Sequence, residues 1–489
     1  MDRMTSRGGA WLTLVVLALA AGLVAFGVTL SWYGDEGFHL VAAQLINAGK
    51  KPYADFVYPQ PPLYAYANAA WMSLFGQNWR VAHVFSAIWT AGSIGLAAGF
   101  VLARCPNPVW RLPAAVTAAL LMGLHFTVIR FGTIAQAYGM CLFLIAAGFW
   151  LAVEAPDRRR PWFAAGAGLC AGAAAACSLL TAPVAPILGA WIARRSRAGM
   201  RSHKCAAFVA GAAAPFLPLL WLAVQSPRRT LFSVVQYHLF YRAPNLPRLN
   251  RHDLRVLTSW LDSSQALLVA LPALLGLLYL AGTNGWEAER RQPFLLCGWL
   301  AAGLGLYLSA AHPTYSQYFV LLMPFLSILG ALGVYAVGST WLPNRPAALT
   351  VAVAGLLALG LVKTLYQERA AFRFRWRHFE DIAREVNRLT PPRAEVWSDE
   401  AIYFAGNRIP PPGMESHDSH SLHVDPARLR SLGIVPRSEL ERSLAAGRFD
   451  TVATCSLNEY WMDLYRVERF YARRAKVNEC HLFWDKIAR

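Results

Sequence analysis

Two adjacent carboxylates stand out by position. Asp35 and Glu36 follow Trp32-Tyr33-Gly34 at the end of an apolar run, Trp11 to Leu30, that holds no ionisable residue. A segment of about 20 apolar residues matches the roughly 30 Å hydrocarbon core of a bilayer, and Trp and Tyr belong at its interface. Asp35 and Glu36 therefore sit where membrane meets water, level with the head group of any lipid-borne substrate. A carboxylate held there can take a proton. It can also do no more than cap a surface helix, where it meets exposed N–H groups and the positive end of the dipole. The pair forms the candidate catalytic group, with Asp35 as the base and Glu36 as its supporting or capping neighbour. Asp55, further along the same loop, can contact a substrate or cap a turn.

Cations could hold an anionic head group beside those carboxylates. Lys50, Lys51, Arg130, Arg242, Arg248, Arg251 and Arg255 fall at span ends or in long loops. Arg offers bidentate phosphate contacts, whereas any one cation can instead screen anionic lipids, the reading preferred for Lys50 and Lys51. Arg130 and Arg242 lie beside aromatics and are the leading phosphate-binding candidates. His238, flanked by Tyr237 and Tyr241, and His312 can be ligands, phosphate donors or hydrogen-bonded interface residues. His417, His420 and His423 share a Ser-rich stretch and read as solvated. No His/Asp spacing dictates a metal, although Asp35, Glu36 and His39 are near enough in sequence to be weighed as ligands for a divalent ion. Most of the eight Cys lie in apolar runs or short loops and read as packing residues. Cys455 and Cys480 fall on or near expected strands, and an oxidising compartment would permit a disulfide between them.

Such a site needs a membrane to carry it. Only 15% of the 489 residues are charged, against about 25% in soluble chains, and 56% are hydrophobic. Apolar runs between polar breaks give about eleven spans, near 11–31, 81–102, 110–129, 136–153, 162–179, 181–193, 205–224, 264–282, 294–311, 317–341 and 347–366. The first run is too long for a signal-peptide core and lacks a small-residue cleavage site, so it reads as an uncleaved span. The net charge of +18 is concentrated in short clusters such as Arg158-Arg159-Arg160, Arg194-Arg195 and Arg290-Arg291. These clusters follow the positive-inside pattern and include no basic stripe interleaved with aromatics, which disfavours a nucleic-acid partner. One orientation puts every cluster inside: a cytoplasmic N-terminus, outer loops at 32–80 and 225–263, and an exported tail after residue 366.

Local patterns subdivide the outer segments. Phe38, Val41, Ala42, Leu45 and Ile46 share one face of an interfacial helix ended by Gly49. A second helix starts at Pro61-Pro62 and runs through Tyr66, Ala70 and Leu74 to Gly76. In the tail, Phe379, Ile382, Val386 and Leu389 recur at helical spacing, and strand-like runs fall at Glu395–Ser398, Thr451–Cys455 and His481–Trp484 around a helical stretch near Ser438–Ala446. The expected fold is a polytopic α-helical membrane domain over 1–366, with interfacial helices in its first outer loop. A small extracytoplasmic α/β domain over 367–489 follows it.

The first loop also resembles a known family. Asp35-Glu36 with the helix behind it, Gly49 with Pro52-Tyr53-Ala54-Asp55-Phe56, and Gln60-Pro61-Pro62-Leu63-Tyr64 through Leu74-Phe75-Gly76 look like the first outer loop of GT-C glycosyltransferases. The resemblance is to bacterial relatives of dolichyl-phosphate-mannose protein mannosyltransferases and of lipid A aminoarabinose transferase. His312-Pro313-Thr314-Tyr315 leading to Tyr318, Val396-Trp397-Ser398-Asp399-Glu400 and Tyr403-Phe404-Ala405-Gly406 are similar to a late loop and the tail of those enzymes. The resemblance implies an inverting transferase that moves a sugar from a polyprenyl-phosphate carrier to an extracytoplasmic protein, lipid or glycan acceptor. Asp35 would be its catalytic carboxylate. Asp55, Gln60, Arg130, Tyr237, His238, Arg242, His312, Tyr315 and Tyr318 would be the substrate-binding candidates. No cofactor is implied beyond the lipid-phosphate sugar itself, and the setting would be a bacterial inner membrane. One position departs: aminoarabinose transferases carry a Lys before the Pro-Pro pair, where it helps hold the donor phosphate, and Gln60 stands there here. That argues against lipid A modification.

Two other functions compete. Ion-coupled transporters place ionisable residues near the bilayer midplane, and the spans after residue 135 carry almost none. A lipid-linked sugar flippase survives that argument, as does a non-catalytic membrane protein of envelope assembly with the tail as a docking module.

Overall fold

The computed structural model describes residues 2–29, 35–241, 251–282, 288–371, 375–416, 419–420, 422–455 and 465–487. Trp32, Tyr33, Gly34, Arg242, Arg248 and His417 fall outside them.

Among the described residues, seven helices are long and apolar enough to cross a membrane: Gly8–Gly27, Trp79–Arg104, Ala198–Gln225, Ser264–Gly282, Arg290–Ser309, Ser316–Trp341 and Pro346–Gln367. Shorter apolar helices cover Arg111–Gly123, Tyr138–Glu154 and Trp162–Cys177, and a further one covers Val184–Arg195. Each of the eleven expected spans overlaps one of these helices, seven of which are long enough to cross, and the chain is a multi-pass membrane protein. Proline sets some of the breaks. Pro183 is the N-cap of Val184–Arg195, and Pro324 stands in the first turn of Met323–Trp341, where its missing N–H costs nothing.

The chain divides into two compact units, the first comprising Met1–Val28, His83–Leu217 and Asn245–Arg369. Small residues let its helices approach closely, as they must where lipid removes the hydrophobic drive between helices. A Cβ on Gly333 would strike the Pro272 carbonyl, and one on Gly276 would strike the Leu329 carbonyl, so Ser264–Gly282 and Met323–Trp341 touch backbone to backbone.

The second unit takes in Thr29–Ala82, Pro218–Pro244 and Ala370–Arg489. The first long loop and part of the second thus belong with the tail rather than with the spans. Both expected loop helices form, as Glu36–Asn47 and Leu63–Phe75. Their burial is wider than one amphipathic stripe. The first buries Glu36, His39 and Gln44 along with Leu40, Val41 and Leu45. The second turns Tyr64, Ala65, Asn68, Ala69 and Met72 inward and leaves Leu74 and Phe75 exposed.

In the tail, Trp376–Leu389 buries Phe379, Ile382 and Val386, as its spacing predicts. Strands β1 (Val396–Ser398), β2 (Thr451–Cys455), β3 (Tyr471–Val477) and β4 (Cys480–Lys486) form one sheet in the order β1-β2-β4-β3. β1 runs parallel to β2, and the other pairings are antiparallel. Trp397, Leu440, Leu444, Phe449, Val452 and Phe483 build its core. The sequence reading passed over β3, an edge strand whose Arg473, Arg474 and Lys476 hide the alternation; charged side chains are usual on such edges. Cys455 and Cys480 face each other across β2 and β4 and are joined by a disulfide.

Candidate functional site

Asp35 occupies the N-cap position of Glu36–Asn47 with φ −74° and ψ −9°, and its side chain makes no capping hydrogen bond. A capping side chain ordinarily needs an extended backbone to curl onto the first N–H groups; Asp35 is already helical. Its carboxylate is exposed. The bland reading, that Asp35 merely caps the helix, therefore loses its geometric basis. Glu36, one residue on, is fully buried, and its Oε1 accepts the indole N–H of Trp376 at 2.9 Å. The two carboxylates are held in opposite settings, one in water and one in the interior.

His39 lies one turn further along the helix. Its Nδ1 is 2.8 Å from the Tyr58 hydroxyl, and burial pushes the imidazole pKa down to about 3. Desolvation disfavours the imidazolium, so His39 is a neutral hydrogen-bonding partner. Among the described residues no group of three or more His, Cys, Asp or Glu is arranged to hold a metal ion.

The other first-loop candidates are fixed by the backbone. Asp55 Oδ2 accepts the Lys51 N–H at 2.8 Å and closes the turn between them. Tyr53, at φ 66°, donates its hydroxyl to the Gln60 carbonyl at 2.6 Å. His238 Nε2 donates to the Pro59 carbonyl at 2.7 Å, which sets the second long loop beside Gln60. Tyr237 packs edge-on against that imidazole with centroids 5.2 Å apart. Asp35, Glu36, Asp55, Gln60, Tyr237 and His238 thus share one unit. Lys51 donates to Gln225 Oε1 at 3.0 Å and lies over the Trp221 ring.

Arg130, His312, Tyr315 and Tyr318 belong to the other unit. Arg130 ends the short helix Phe126–Phe131, with its guanidinium 5.9 Å from the Phe126 ring centroid and 5.3 Å from that of Phe131. The Phe126 N–H donates to Gln265 Oε1 at 2.9 Å and anchors that helix. His312 Nδ1 lies 2.6 Å from Asp253 Oδ2, while Asp253 Oδ1 accepts the Thr314 N–H at 2.9 Å. Burial opposes ionisation of Asp253. The Thr314 N–H, the His312 bond and the charges of His312 and His252 outweigh it and hold the carboxyl below its ordinary range. Asp253 thus orients His312, and His312 Nε2 is buried without a hydrogen-bond partner. Tyr315 stacks edge-on between His252 and Tyr318, at 5.4 and 5.5 Å.

The sequence reading passed over Asp253, Trp376 and Glu415, and it misplaced His420. His420 is buried rather than solvated, because its Nδ1 donates to the Val435 carbonyl at 2.7 Å; His423 stays exposed. Glu415 is 3% exposed and accepts the Gly413 N–H at 3.0 Å. Burial raises its pKa to about 7, against the opposing pull of that hydrogen bond, Lys50 and Arg229.

A carboxyl whose folded pKa is raised is protonated in both states below the unfolded value. Stability then falls as pH rises through the interval from 4.5 to about 7, and the full cost is present above it. The expected loss is up to about 3 kcal/mol. Melting temperature in detergent should therefore drop between pH 5 and pH 8, and Glu415→Gln should flatten that drop. Parallel profiles for the two proteins would show that Glu415 is not the group responsible.

No protein-family model and no curated protein sequence matches this chain. Solved structures do. ArnT from Cupriavidus metallidurans, a lipid A aminoarabinose transferase crystallised with undecaprenyl phosphate, superposes with a TM-score of 0.70 at 14% identity, covering 97% of this chain and 98% of that one. The Archaeoglobus fulgidus oligosaccharyltransferase gives 0.55 at 12% identity over 95% of this chain and 73% of its own. Arabinosyltransferase EmbB from Mycobacterium smegmatis gives 0.51 at 16% identity over 67% of this chain and 31% of its own. These neighbours are GT-C glycosyltransferases. At such identities the likeness carries the fold alone, and over nearly its whole length this chain has the ArnT-like GT-C fold.

Proposed function

We propose that this protein is an inverting glycosyltransferase that moves a sugar from a polyprenyl-phosphate carrier to an acceptor outside the cytoplasm. The observation that carries the reading is Asp35: exposed, at the start of the first loop helix, and not engaged in capping it. The fold shared with ArnT, which was solved with undecaprenyl phosphate, supports a lipid-linked donor. In the reaction the acceptor oxygen forms a bond to the anomeric carbon as the bond from that carbon to the phosphate oxygen breaks. Asp35 takes the acceptor proton, and the lipid phosphate departs with the electron pair. The departing group is already an anion, so no strong acid is needed. Cations such as Arg130 are needed to offset the charge that develops on it. Transfer of radiolabelled sugar from a defined polyprenyl-phosphate sugar, catalysed by purified protein, is the expected result. Movement of the carrier between leaflets without transfer would replace this reading with a flippase, and neither activity would leave the envelope-assembly role.

The same reading puts the second unit on the extracytoplasmic side of a bacterial inner membrane, because only this orientation leaves the short Arg clusters inside. Ser431 is exposed. Ser431→Cys should react with a membrane-impermeant thiol reagent in intact spheroplasts, and Arg159→Cys should not. The reverse labelling would invert the orientation.

A further inference from the structure

Glu36 and Trp376 are 340 residues apart in sequence, yet the buried carboxylate of one accepts the indole N–H of the other at 2.9 Å. Neither residue has room to move. Glu36 is fully buried and Trp376 is 1% exposed. The Trp376 ring lies flat on that of Trp79, with centroids 5.3 Å apart and planes 9° from parallel, and it meets Phe379 and Phe404 on other sides. Trp79 is held in turn: its indole N–H donates to Glu380 Oε1 at 2.7 Å, and the Arg80 guanidinium lies over its ring while also pairing with Glu380. A second contact fixes the same end of the helix. Gly37 sits against Glu400 so closely that a Cβ there would come within 3.0 Å of the Glu400 Cβ.

We propose that Trp376 is a positioning residue for the transfer reaction: through Glu36 it fixes the first turn of Glu36–Asn47 and so the direction of the Asp35 carboxylate. The inference rests on the reading of Asp35 as the base. It gives the segment after the last span a share in catalysis, in place of a separate docking role. A base must be held to within hydrogen-bond reach of the proton it takes, and small errors in placement cost large factors in rate. Asp35 and Glu36 are neighbours at the start of the helix, so a hold on Glu36 fixes the backbone from which the Asp35 carboxylate projects. A buried hydrogen-bonding group is costly to leave without its partner.

The test is Trp376→Phe, which removes the indole N–H and leaves a smaller aromatic ring facing Trp79. It should lower kcat by about tenfold or more while leaving KM for the lipid donor near its wild-type value. In a Glu36→Gln background the same change should cost little further, since the two residues act as one unit. Equal losses added together, or a change in KM with kcat intact, would overturn the proposal. If Trp376→Phe does not fold, Glu36→Gln alone decides: it keeps an acceptor but weakens the bond, and an unchanged kcat would overturn the proposal. Wild-type protein that transfers no sugar would overturn the glycosyltransferase reading and this inference together. An active wild type with unaffected variants overturns this inference alone.

Discussion

Asp35→Asn should lower turnover by about 10²- to 10⁴-fold, the usual cost of losing a general base, with expression and melting temperature little changed. The substitution is chosen to separate two roles. Asn is as good an N-cap as Asp, so a helix that needed Asp35 only as a cap would lose nothing. The geometry already argues against the cap, because the side chain makes no such bond and the backbone is helical at that position. What Asn lacks is a site for the acceptor's proton. Binding of the donor should persist, so the loss should fall on kcat. Glu36→Gln should do much less, since Glu36 is buried against Trp376 and reaches no solvent. Steady-state transfer of radiolabelled sugar, with melting curves on the same samples, measures both. Near-normal transfer by folded Asp35→Asn would end the proposal and leave Asp55, the other exposed carboxylate of that loop, to be tested.

Arg130→Ala should lower kcat/KM for the lipid donor by roughly 10- to 100-fold, the scale of a charge-assisted hydrogen bond. Two roles again compete. The guanidinium lies beside Phe126 and Phe131, and a cation–π contact contributes at most a few kcal/mol to stability without touching the reaction. Arg130→Lys discriminates them. It keeps the charge and loses the planar fork, so a bidentate phosphate contact would be weakened but not abolished. If Arg130 only packs on its aromatic neighbours, both variants should melt lower and use the donor normally. That result would move the phosphate site to the Arg251–Arg255 segment.

What the sequence determined by itself is what one segment can encode. The spans are such a property: insertion depends on the summed apolarity of a continuous stretch, and each expected span overlaps an apolar helix. The two helices of the first loop are another, marked by Gly49, Pro61-Pro62 and Gly76. So is the start of the first of these helices directly after Asp35. β1, β2 and β4 were legible because their side chains are mostly buried, whereas β3 was not, because an edge strand can carry Arg473, Arg474 and Lys476 at little cost.

Tertiary structure decided everything that depends on two distant segments meeting. Glu36 reads in sequence as a second surface carboxylate; only the arrival of Trp376 from the tail buries it. Asp253 reads as one charge in a basic loop; only Thr314 and His312 turn it into the support of an imidazole. His420 reads as solvated until the Val435 carbonyl covers it. The pattern of apolar residues says how much surface a segment must hide, since burial is roughly proportional to area and has no direction. It does not say which partner will hide it. Hydrogen bonds are directional and depend on distances of a few tenths of an ångström, and that precision is set only when packed elements fix both ends.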